Sequence, residues 1–244
     1  MKNLNKKTIV LLVAAAVLLL SSAVGSTRAA LTYYSENYSA EVTVANIGVT
    51  LLENGEAVSY KNYLNDGKWD VKDGDLFADL LDKDFTVGKS YDEVLEVKNS
   101  GAIDTYVRVI LTKTWIDEKG NVDQTLDPAL IELPVAGEGW VVDKAASTPE
   151  RIVLYYTSPL AVGDTTSAFT SKFSVNPMLQ TKVVEEVKET EAGKTITYTY
   201  EYDGYSFNVE AEVDAVQTHN AAEAIKSAWG VSVTVADNGA ISLQ

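Results

Sequence analysis

Cysteine is absent from the 244 residues, and there are only one histidine, two methionines and five prolines. Without cysteine there is no disulfide framework, no thiolate nucleophile and no thiolate-bound zinc. The one histidine, His219, cannot supply a zinc-hydrolase ligand set, and no His-Glu-x-x-His occurs. A Ser–His pair would have to use that same residue, and neither a Gly-x-Ser-x-Gly turn nor a glycine-rich phosphate loop is present. Paired carboxylates for glycoside chemistry stay open, because 35 acidic residues offer many pairs, but no aromatic-lined cleft is evident to frame them. No catalytic, cofactor or metal residue is expected. Positive charge is also scarce, 20 basic against 35 acidic residues for a net −15. Such a surface repels nucleic acid and anionic lipid.

Long apolar runs are lacking except at the N-terminus. Lys2, Lys6 and Lys7 precede the unbroken apolar run Ile9 to Leu20, and Gly25-Ser26-Thr27-Arg28-Ala29 offers small residues before a cut. Cleavage is expected after Ala29, with Ala30 as the new N-terminus. The alternative is an uncleaved anchor, but Thr8 to Val24 is short for a bilayer core of roughly 30 Å. Either way the remainder is exported, to the extracellular matrix or cell surface, and meets the membrane only transiently through the leader. The predicted organisation is a signal peptide over 1–29 and one β-domain over 30–244. Four basic residues and no acidic ones lie in the leader, so its removal takes the charge from −15 to −19. The last residues, Ile241 to Gln244, carry no sortase signal, so surface retention is expected to rest on something else.

Period-2 alternation dominates the chain beyond the leader. Tyr38, Ala40, Val42 and Val44 alternate with Ser39, Glu41 and Thr43, an amphipathic strand. Ile47 to Leu52 is a second strand, Glu53-Asn54-Gly55-Glu56 a tight turn, and Ala57 to Tyr63 its return. The centre is Tyr91 to Trp115. There Leu95 and Val97 mark one face against solvated Glu93, Glu96 and Lys98, and Asn99-Ser100-Gly101 breaks the run. Tyr106 to Leu111 is almost continuously apolar, interrupted by Arg108, as in a strand covered on both faces. Further strands are expected at 139–142, 151–156 and 169–175.

Asn65 to Asp75 reads as a polar loop whose Asp66, Asp70, Asp73 and Asp75 form a solvated acidic stretch rather than an EF-hand, and a short helix is expected over Asp75 to Leu81. Thr181 to Val187 and Thr195 to Tyr202 suggest a hairpin, with Asp203-Gly204 closing another into Tyr205 to Val216. Tyr198, Tyr200, Tyr202 and Tyr205 fit ordinary strand packing, or else a sugar-stacking platform. A helix is expected from Asn220, as N-cap with Glu223 as its capping-box partner, to Gly230, followed by a closing hairpin. Ten to twelve short strands with two or three short helices make an all-β fold, a jelly-roll-like β-sandwich.

The leader junction Val24-Gly25-Ser26-Thr27-Arg28-Ala29-Ala30-Leu31 resembles the Gly-x-Thr-x-Ala-Ala-Phe signature of precursors cut by the SipW-type signal peptidase, with Leu31 in place of the usual phenylalanine. Phe85-Thr86-Val87-Gly88-Lys89 followed by Val97-Lys98-Asn99-Ser100-Gly101 is similar to a Pro-Gly-Asp … Val-x-Asn-x-Gly pattern, with Val87 for the proline and Lys89 for the aspartate. Tyr106-Val107-Arg108-Val109 also fits. Together, over roughly residues 20 to 115, these resemble the TasA/camelysin group of exported Gram-positive proteins. The resemblance implies a jelly-roll domain, release by a SipW-type signal peptidase, and homo-oligomeric matrix fibres in which the new N-terminal segment adds as a strand to the next subunit. That segment, 30–45, would present Leu31, Tyr33, Tyr38, Ala40, Val42 and Val44. It equally suits pairing within its own sheet. Camelysin-type proteins are also described as metalloproteases, and no motif here carries that activity. A carbohydrate- or surface-adhesion module is the third alternative.

Overall fold

The computed structural model describes residues 46–64, 67–81, 85–135, 137–190 and 193–244, all within one compact unit, Val44–Gln244. Two antiparallel sheets pack their inner faces into one apolar cluster. The first sheet holds β1 (Gly48–Glu53), β2 (Glu56–Tyr63), β3 (Trp69–Lys72), β4 (Tyr91–Asn99), β7 (Ile131–Glu132) and β10 (Thr170–Val175), in the order β3-β2-β1-β4-β10-β7. The second holds β5 (Thr105–Ile116), β6 (Val122–Asp123), β8 (Trp140–Val142), β9 (Arg151–Tyr156) and β13 (Ser206–Gln217), in the order β13-β5-β9-β8, with β6 paired to the end of β5. Two hairpins stand apart from both sheets: β11 (Val183–Thr190) with β12 (Gly193–Tyr200), and β14 (Val233–Val235) with β15 (Ile241–Leu243). The described residues thus hold fifteen strands, more than the pattern suggested, because β3, β6 and β7 are two- to four-residue pieces in stretches that read as loops. The predicted loop 65–75 contains β3, and the helix expected over 75–81 is one turn, Ala78–Leu81.

The continuous apolar run of β5 is explained by cover on both faces. Val107, Val109, Leu111 and Trp115 enter the core between the sheets. Tyr106 and Ile110 point the other way, under the C-terminal helix Ala221–Trp229 and the β14–β15 hairpin, whose Ile225, Val233 and Ile241 are buried there. Arg108 sits on this second face, and its Nε donates to Asp214 Oδ2 at 3.0 Å across the β5–β13 ladder. Its guanidinium also lies 5.4 Å from the Trp229 ring, so the one charge in the run is paired and stacked. Lys113, on the inner face, donates from Nζ to the Ile131 carbonyl at 2.6 Å. Burial holds its ammonium below the usual lysine range, with Asp127 and Glu132 opposing that shift.

Asn99 sets the crossing from one sheet to the other. It is fully buried, its amide donates to the carbonyls of Ile103 and Leu160 at 2.8 and 2.9 Å, and its Oδ1 accepts from the Gly101 amide. Gly101 is needed there, because a Cβ would come within 2.6 Å of Gly48 N. Glu93 departs from the sequence reading. It shares the face of Leu95 and Val97, is buried, and accepts from Asn54 Nδ2 at 2.8 Å, tying the β1–β2 turn to β4.

Two further expectations are corrected. Asp203-Gly204 does form a turn, with Gly204 at φ 77°, but it does not close a hairpin. Tyr202 leaves the ladder to pack edge-on against Trp115 at 4.9 Å, and β13 pairs with β5 over all twelve residues instead of with β12. The helix at 221–229 begins and ends as expected, with Gly230 at φ 74°, yet Asn220 is left-handed at φ 50° and its side chain makes no cap bond. An N-cap side chain reaches the helix amides from extended backbone, which Asn220 does not adopt, so the capping box is not formed.

Burial pushes the hydroxyls of Tyr106, Tyr155 and Tyr202 above the usual tyrosine range. Unfolded tyrosines ionise near pH 10, so this contribution to stability is whole below that pH and is lost as pH rises through the raised folded values. Ultraviolet titration of the phenolate band is expected to show a late-ionising group of tyrosines, with the urea midpoint falling over the same alkaline interval.

Candidate functional site

The two sheets differ in breadth, and the difference leaves one flank open. Val49 and Leu51 of β1 are buried in the core. The register Val49↔Lys61↔Val71 places Lys61 and Val71 on the same inner face, and Tyr63↔Trp69 lies two residues further along it. That face of β2 and β3 is not covered as β1 is: Trp69 is 53% and Val71 49% exposed. Tyr63 meets Trp69 edge-on at 5.0 Å, and Lys61 Nζ lies 5.0 Å from the same ring.

β13 borders this shelf. It pairs with β5 along one side, and its other side has no ladder partner among the described residues. Strand alternation turns Phe207, Val209, Ala211, Val213 and Ala215 toward the core, where they pack only partly buried except Val209. Between β13 and the shelf run two recesses. One, of about 630 Å³, is lined by Leu51, Ser59, Phe77, Val209 and Ala211 among others. The second, of about 390 Å³, is lined by Val49, Tyr60, Val71, Ala211 and Val213 among others. At the Phe207 end the groove meets a smaller apolar recess of about 300 Å³ bounded by Phe85, Trp115, Leu179 and Tyr202. An unpaired strand edge beside an uncovered apolar face is the geometry that an added strand satisfies, with backbone bonds on one side and alternate side chains on the other.

Of the residues singled out by sequence, the cleavage pair Ala29 and Ala30 and the strand-forming Leu31, Tyr33, Tyr38, Ala40, Val42 and Val44 lie outside the described residues. Of the tyrosine row, the side chains of Tyr198 and Tyr200 lie outside the described residues, and the other two are engaged within the fold. Tyr202 is buried, with its hydroxyl accepting from Asp127 N at 3.3 Å, and half-buried Tyr205 donates to Asp123 Oδ2 at 3.2 Å. Asp70, Asp73 and Asp75 are exposed, and Asp66 lies outside the described residues. Among the described residues no group of three or more histidine, cysteine or acidic side chains is placed to hold a metal. His219 is exposed just ahead of the C-terminal helix. Sequence reasoning found β1, β2 and β13 but read β3 as part of a polar loop, and so missed the flank itself. The available signal was the contrast between amphipathic β13, with small Ala211 and Ala215 inward, and doubly covered β5.

No protein-family model matches the chain, and no curated protein and no solved structure matches it significantly.

If the shelf stands outside the core, Trp69→Ala is expected to shift unfolding stability by no more than about 1 kcal/mol. Trp115→Ala, at 3% exposure, is expected to cost about 3–5 kcal/mol. Urea denaturation of the two variants beside the parent protein separates them.

Proposed function

We propose that this protein is an exported structural subunit of extracellular-matrix or cell-surface fibres, without enzymatic activity, assembling by strand addition. In this reading a SipW-type signal peptidase cuts between Ala29 and Ala30, and segment 30–45 of one copy lies along β13 of the next. The observation that carries it is β13 itself: twelve residues paired on one side only among the described residues, beside an apolar shelf.

The segment matches the groove in pattern. Tyr38, Ala40, Val42 and Val44 would face Val49, Leu51 and the inner side of β13, while Ser39, Glu41 and Thr43 would face out. Its sixteen residues, at roughly 3.3 Å each, exceed the reach of a twelve-residue strand. Burying each larger side chain contributes roughly 1.5–3 kcal/mol, against about 1–2 kcal/mol per residue for ordering the backbone. Pairing over two or three residues would therefore not hold, and a long acceptor edge is required. The jelly-roll form of the fold belongs to the same reading, supported by the passage of the chain between sheets from β4 to β5 and from β9 to β10.

Mature protein beginning at Ala30 is expected to form fibres visible by electron microscopy, and protein beginning at Asn46 is expected to stay monomeric. Mixed with the intact chain, the shortened one should join one fibre end and stop growth there, giving shorter fibres as its fraction rises. Fibres of unchanged length, or fibres from the shortened chain alone, would contradict the proposal.

A further inference from the structure

The outward side of β13 carries Asn208, Glu210, Glu212 and Asp214, which stand opposite Thr114, Thr112, Ile110 and Arg108 of β5. Asp214 is neutralised by Arg108. Glu210 and Glu212 are exposed and face no cation on β5, and among the described residues Glu210 Oε1 accepts from the neutral Asn208 amide, at 2.7 Å. The other charged residues lining the groove are Asp73 and Asp75 with Lys61 and Lys72. Both lysines are engaged: Lys61 lies over Trp69, and Lys72 Nζ donates to the Ala57 carbonyl at 2.8 Å. The unpaired edge of β13 is therefore bordered at its middle by two carboxylates that meet no compensating cation among the described residues. Charges so placed are a common defence of strand edges against indiscriminate pairing.

We infer that Glu210 and Glu212 form a charge gate on the strand-accepting edge, selecting the incoming strand by its outward residues and slowing addition of the chain's own acidic segment. The inference rests on the strand-addition reading. With the apolar residues of the segment turned inward, Glu41 is the one outward charge between Ser39 and Thr43. It arrives beside Glu210 and Glu212, and like charges on neighbouring strands oppose pairing. Salt screens such an exposed pair, so a second copy adds faster as ionic strength rises, whereas a strand with a lysine at that position adds readily at low salt. The gate keeps newly exported subunits apart in dilute surroundings and releases them where ions are concentrated.

The test uses the full mature chain and two fluorescent peptides, one with the sequence of residues 30–45 and one carrying Glu41→Lys. At low salt the lysine peptide is expected to bind about threefold more tightly by anisotropy, because an opposite charge replaces a like one across the strand pair. The preference should shrink in high salt. It should vanish in a Glu210→Gln, Glu212→Gln chain, which keeps the acceptor for the Asn208 amide. Equal binding of the two peptides at low salt, or a preference that survives in the double variant, overturns the gate while leaving strand addition standing. Absence of binding by either peptide to either chain overturns strand addition along β13, and the gate with it.

Discussion

Every second residue of β13 turns its backbone N–H and C=O away from β5, and those groups need partners. In the interior of a sheet the neighbouring strand supplies them; here, among the described residues, none does. Backbone groups left at an edge are satisfied by water or by another chain, and the choice depends on what lies beside the edge. Beside this edge lies an inner face that includes Trp69 and Val71, apolar and open. The rest of the fold holds that edge in place. β5, buried on both faces, fixes β13 over twelve residues, and Arg108 locks the pair from the outer side while the C-terminal helix and hairpin seal it.

This arrangement accounts for how a strongly acidic chain without disulfides can be stable and yet have an open flank. Stability comes from the shared core and from a few buried polar ties with definite partners. Asn99 joins the crossover loop to Leu160, Glu93 joins the first turn to β4, and Lys113 reaches the Ile131 carbonyl. None of these ties involves the shelf. Removing apolar area from the shelf is therefore expected to leave the body intact.

Much of the body was legible in the sequence because its signals are local. The Asn54-Gly55 turn has both residues at positive φ, and the two-faced burial of β5 matches its unbroken apolar run. The features that stayed hidden depend on long separations. Nothing near Arg108 announces Asp214, 106 positions away, and nothing at Asp203-Gly204 announces that β13 will abandon its neighbour β12 for β5. The strong local turn signal there was right about the turn and wrong about the pairing, because Tyr202 is drawn to Trp115. The open edge itself is a property of sheet order, and residue patterns do not encode which side of a strand goes unpartnered. The N-terminal signals were equally local, but the residues that carry them lie outside the described part of the chain.

The central claim is that a second copy completes the sheet at β13. Hydrogen exchange of the β13 amides, tracked residue by residue in monomer and in assembled protein, tests it directly. The account predicts that the alternate amides not bonded to β5 exchange freely in the monomer and become strongly protected on assembly. Protection already complete in the monomer, or amides that stay open in the assembled state, would contradict it.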